Sequence, residues 1–146
     1  NQMNAGEKIN KIFNDVMMHK ALNIRKRQKI SRVLEDEGNI KFQRKIIEHK
    51  MKMLHLPYRT IVEQGVKEGV FDTIYPEEVA EQIIQMLIIL SSVVTRLALG
   101  MEENPNHNEI IKRKVKAYQE AVERILGAPK GLMNFEEIIR IFDRCL

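Results

Sequence analysis

The chain has 146 residues, 44% of them hydrophobic and 30% charged, with seven Gly, four Pro and a single Cys. That length suits one domain with a sizeable core, and that balance excludes a disordered segment. The lone Cys145 excludes an internal disulfide framework and fits a reducing, cytosolic setting. A net charge of +4 permits a nucleic-acid partner without demanding one.

The first twenty residues lack the continuous apolar core of a signal peptide. The chain begins with Asn1 rather than Met, as expected of a processed product or of a piece of something longer. Residues 7 to 22 space Ile9, Ile12, Phe13, Val16, Met17 and Ala21 by three and four, which predicts an amphipathic helix. The basic stretch IRKRQKISR follows, and Glu35, Asp36, Glu37, Gly38 and Asn39 mark a stop and a new start. The next helix runs from about Ile40 toward Gly65, with Ile40, Ile47, Met51, Leu54, Tyr58, Ile61, Val62 and Val66 on one face. Pro57 lies inside it and should kink it, by removing a backbone bond and colliding with the preceding turn. Gly65 leaves a flat spot for another helix to approach.

Gly69 stands where a left-handed residue would close that helix, with Val70 and Phe71 folding back on its last turn. Pro76 opens the next helix, and Glu77 and Glu78 meet the positive end of its dipole. Residues 86 to 90 are apolar all the way round. Such a helix needs cover on more than one side, from the protein's own core and from a second copy. Gln85, Ser91, Ser92 and Arg96 interrupt the run, so it falls short of the roughly 20 mostly apolar residues of a membrane span.

Asn104 or Asn106 can cap a helix from about His107 to Leu126. There Ile111, Val115, Tyr118, Val122 and Ile125 form a heptad-like seam, the pattern for packing along one partner helix. Gly127 and Pro129 stop it. A last helix, about Asn134 to Arg144, puts Phe135, Ile138, Ile139 and Phe142 on one side. No strand pattern or internal repeat is visible. The expected fold is all-α, a bundle of about five to six helices in one domain over residues 1–146.

Little in the chain points to catalysis. His19, His49, His55 and His107 are scattered, and none stands four residues from another. There is no HExxH, CxxC, ExxH or Gly-rich phosphate loop, so no metal, cofactor or enzymatic activity is expected. Between Lys20 and Lys52 there are eleven Lys or Arg against four Asp or Glu. An electrostatic footprint near nucleic acid is one reading. The charges sit at nearly every helical angle with no interleaved aromatics, which favours a solvated face.

Phe13, Met17, Met18, Phe42, Met51, Met53, Tyr58 and Met86 form a Met and aromatic set of the kind that fills a core. The same set could line a cavity between helices. Pro57 bends one wall, and Met adapts binding surfaces to varied ligands. The candidate ligand residues are Phe13, Met17, Met51, Leu54, Tyr58 and Met86.

At IVEQGVKEGVFDTIYPEEVAEQI the chain resembles the regulatory domain of TetR-family transcriptional repressors, through Gly65, Glu68, Gly69, Phe71, Pro76, Glu77 and Ala80. The later AYQEAVERILGAP resembles the family's closing helix, with its end at Leu126 and Gly127. Tyr75 departs from the Asp-like cap usual before the Pro. The resemblance implies a cytoplasmic homodimer, whose two late helices pair with their counterparts in a four-helix interface, and a pocket for a small hydrophobic effector in each subunit. The interface would then use Ile84, Ile88, Ile111, Val115, Tyr118, Val122 and Ile125. Operator DNA would be read only through an N-terminal helix-turn-helix, which no segment before residue 7 resembles. The rival expectations are a helical protein–protein interaction module without a pocket, and a helical-bundle enzyme whose site carries no local signature.

Overall fold

In a computed structural model, the described residues are 2–24, 26, 28–30, 39–100 and 106–140. Among them lie four long helices and no strand: α1 (Ala5–Leu22), α2 (Ile40–Glu68), α3 (Pro76–Ala98) and α4 (His107–Leu126). The fold is all-α. The stop expected at Glu35–Gly38, the candidate cap Asn104, and Phe142 fall outside the described residues.

The first helix starts at Ala5, two residues before the apolar pattern. Asn4 Oδ1 accepts the Glu7 N–H and Glu7 Oε2 accepts the Asn4 N–H, both at 2.9 Å. This reciprocal cap satisfies two otherwise orphaned donors. A second clasp fixes the same end to the last turn of α2. Glu68 Oε1 accepts the Ala5 N–H (2.9 Å), Gln64 Nε2 donates to the Met3 carbonyl (3.0 Å), and Lys8 Nζ donates to Gln64 Oε1 (2.6 Å).

Helix α2 continues through Pro57, whose ring faces solvent. It closes at Gly69 with φ +77°, and the Val70 and Phe71 N–H groups both reach the Gly65 carbonyl at 3.0 Å. Phe71 is buried against Gly65, where an added Cβ would stand 1.9 Å from the ring. The flat spot at Gly65 is therefore filled by the chain's own next turn, not by another helix. Helix α4 ends in the same way at Gly127 (φ +62°), with Ala128 N–H on the Glu123 carbonyl at 2.9 Å. In both, the bonds from the two residues after the helix satisfy its last carbonyls. The two helix ends meet, because Asp72 N–H donates to the Leu126 carbonyl at 2.8 Å.

The link after α2 carries the chain back to the middle of that helix, where Glu77 in the first turn of α3 lies 3.9 Å from Arg59. From there α3 packs against α2 and α4, and α1 lies against α2 and α3. Helix α3 is long and apolar enough to cross a membrane by length and composition alone. In the fold it is the core helix, with Ile83, Ile84, Leu87, Leu90 and Val94 buried. Its all-round apolar stretch divides: Leu87 and Leu90 face inward, Met86 and Ile88 are half-buried, and Ile89 is 53% exposed.

The last helix begins later than expected, at 137 rather than about Asn134. Residues 132–135 are not helical, and a helical turn is described only at 137–140. Leu132 N–H donates to the Pro129 carbonyl (3.2 Å), and the next three N–H groups go to side chains. Met133 N–H donates to Glu123 Oε2 (3.1 Å), Phe135 N–H to Gln119 Oε1 (3.0 Å) and Asn134 N–H to Asn10 Oδ1 (2.7 Å). Asn10 Nδ2 returns a bond to the Leu132 carbonyl at 3.2 Å. The segment thus straps α1 to α4 and buries Met133, Phe135 and Ile138.

Candidate functional site

The six candidate ligand residues belong to one apolar cluster. Phe13, Met17 and Tyr58 are buried in it, and Met51, Leu54 and Met86 are half-buried at its margin. Phe13, from α1, meets the Phe135 ring at a centroid distance of 4.6 Å and an interplanar angle of 56°, a tilted arrangement favoured by the ring quadrupoles. The wider Met and aromatic set does not all join them. Met18, Phe42 and Met53 are exposed, and so are Val16, Ile40, Ile47 and Val66, which the helical pattern placed on inner faces.

Tyr58 is the polar member. Burial raises its phenol above the ordinary tyrosine range, so the side chain is a neutral hydroxyl at physiological pH. A second polar group, which periodicity does not single out, lies on α3. Ser91 and Thr95 are buried there; Thr95 Oγ1 donates to the Ser91 carbonyl (2.7 Å), and Ser91 Oγ, which accepts from Lys20 Nζ, donates to the Ile88 carbonyl (3.1 Å). Two hydroxyl residues one turn apart, in register with the inner apolar residues Leu87, Leu90 and Val94, are the sequence signal for it. Apolar walls with a few placed polar groups are the usual composition of small-molecule sites.

An open cleft of about 490 Å³ lies elsewhere, lined by Lys112, Lys116, Asn134, Glu136, Glu137, Ile139 and Arg140. None of the six residues lines it.

The candidate interface residues divide between two environments. Ile84, Ile111, Val115 and Val122 are buried within a single chain, where the α4 seam packs on α3. Ile88, Tyr118 and Ile125 are half-buried, as are Ile110 and Ala121 on the same flank of α4. The basic stretch behaves as a solvated face: Lys26, Lys29, Lys41, Arg44, Lys45 and Lys52 are exposed, whereas Lys20 and Lys50 are half-buried and partnered.

A family model described as tetracyclin repressor-like, C-terminal domain matches residues 20–121, well over half of the chain. No curated protein and no solved structure matches.

Proposed function

The chain belongs to the tetracyclin repressor-like C-terminal domain family, and we propose that it is the effector-sensing and homodimerisation domain of a one-component transcriptional repressor. The family match over residues 20–121 carries this reading. Residues 1–146 act as one domain in the cytoplasm, without catalytic activity, and operator DNA is read by a helix-turn-helix outside them. The effector is small and hydrophobic. It enters the cluster of Phe13, Met17, Met51, Leu54, Tyr58 and Met86, with the neutral Tyr58 hydroxyl as a donor. Dimerisation uses the outer faces of α3 and α4, through Ile88, Tyr118 and Ile125, over the inner layer of Ile84, Ile111, Val115 and Val122. A ligand that prefers one packing of α2 on α3 shifts the population of dimer geometries, and with it the fit to two operator half-sites.

The test is a thermal-shift screen of small apolar and aromatic compounds against the purified chain and a Leu54→Glu variant. Leu54 is half-buried at the margin of the cluster, so the variant places a charge in the proposed pocket, and unchanged helical circular dichroism shows that it is folded. Compounds that raise the melting temperature of the wild type and not of the variant are expected. Equal shifts in both, or none in either, would reject the pocket. A second reading, a protein-interaction module, draws on Phe42, Met53 and Leu56, which are all exposed on α2. It predicts no stabilising compound.

A further inference from the structure

Where the first turns of α3 meet the middle of α2, three metal-ligating side chains come together. His55 Nε2 lies 3.4 Å from Glu77 Oε1, and His55 Nδ1 lies 4.0 Å from Glu81 Oε1. One ligating atom from each residue lies within 4.8 Å of the other two. The two carboxylates are one turn apart at the start of α3, and the imidazole comes from the middle of α2, so two helices supply the set. The imidazole and the carboxylates face one another as ion-pair neighbours, none of them hydrogen-bonded to another in this arrangement. An imidazole with two carboxylates suits zinc and its first-row neighbours. In a tetrahedral zinc site, with bonds of about 2.1 Å, donor atoms stand about 3.4 Å apart. The His55–Glu77 pair already has that spacing. With His55 Nε2 as the ligand, the half-exposed Glu81 has to rotate to bring a carboxylate oxygen from within 4.8 Å to that spacing.

One cation stands nearby. Arg59 Nη1 is 3.9 Å from Glu77, but its Nε is bonded to Glu63 at 2.9 Å. The guanidinium therefore has Glu63 as its bonded partner and Glu77 at a longer distance.

We propose that His55, Glu77 and Glu81 bind a divalent transition-metal ion of the zinc class, with water completing its coordination. The site shares no residue with the proposed effector cluster and goes beyond that reading. A bound ion ties the middle of α2 to the first turns of α3, the same pair of helices whose packing the effector reading makes variable.

The probe is zinc chloride, titrated calorimetrically into the purified chain after chelator treatment. The wild type is expected to take up one ion per chain. His55→Ala and Glu81→Gln each weaken binding about tenfold or more, whereas Arg59→Gln strengthens it. A triple variant with His19, His49 and His107 all changed to Gln keeps the wild-type affinity, and unchanged helical circular dichroism shows that each variant is folded. Zinc also raises the melting temperature of the wild type and not of His55→Ala. No uptake by the wild type, equal uptake by His55→Ala, or loss in the triple variant would overturn the proposal. His55→Ala retains the stabilisation given by apolar compounds, so failure here is distinct from failure of the effector pocket.

Discussion

At Gly65 the fold depends on a missing methyl group. The Phe71 ring occupies the volume that a Cβ would take, at 1.9 Å, and both residues are buried. Gly65→Ala must push that ring out of its site and disturb the turn whose bonds converge on the Gly65 carbonyl. We expect a loss of about 1–3 kcal/mol in urea unfolding, the usual cost of overpacking a core. Gly69→Ala offers a contrast, since nothing lies within 4 Å of its Cβ and only the positive φ opposes it. The sequence marks Gly65 as a place of close approach. It does not name the occupant, because helical spacing locates the absent side chain but not which neighbour folds into its space. The same limit explains Phe13, whose register assigns it to an inner face while its ring partner, Phe135, lies on a distant segment.

Elements are legible where their ends carry local chemistry. Pro76 and Gly127 bound α3 and α4 as expected, because a fixed φ and a left-handed residue act within one turn. The 132–135 segment is not legible in that way. Phe135 shares the helical spacing of Ile138 and Ile139, yet the N–H groups of Met133, Phe135 and Asn134 are taken by Glu123, Gln119 and Asn10. Glu123 is buried, and Glu123→Leu leaves the Met133 N–H without its acceptor, at a cost of about 1–3 kcal/mol. Glu123→Gln keeps an acceptor oxygen and should lose less. Amide hydrogen exchange across 132–138, faster in the Leu variant than in the Gln variant, checks this assignment.

The clasp between α1 and α2 adds a pH dependence. Glu68 is held below the usual carboxylate range, first by the Gln64 side chain and then by the Ala5 N–H. Its ionised form is favoured by folding, so its contribution is complete above the ordinary carboxylate pKa. That contribution is lost as pH falls through the lower folded value. Unfolding of the wild type and Glu68→Gln, compared from neutral pH downward, should show the wild type's advantage disappearing in acid. An advantage that grows on acidification would contradict the clasp.

At the scale of the molecule, α3 is the helix the others cover, and its cover is incomplete. Ile89 is 53% exposed and Ile88 half-buried, and on α4 Ile110, Tyr118, Ala121 and Ile125 are half-buried as well. The demand for cover on more than one side is visible in the apolar run of residues 86–90. Which face goes inward is not, because inner and outer residues there have the same chemistry. Ile84, Ile111, Val115 and Val122 are buried within the protomer, and in the proposed dimer the outer rim meets a second copy. Ile89→Lys places a charge on that rim without entering the core. It should convert a dimer to a folded monomer in sedimentation velocity, with unchanged helical circular dichroism.

The account as a whole rests on a dimer that holds a small apolar molecule in each subunit. Native mass spectrometry of the purified chain tests both halves in one spectrum. A dimer carrying extra small-molecule mass, lost on mild activation, is the predicted result. A monomer carrying none would contradict it.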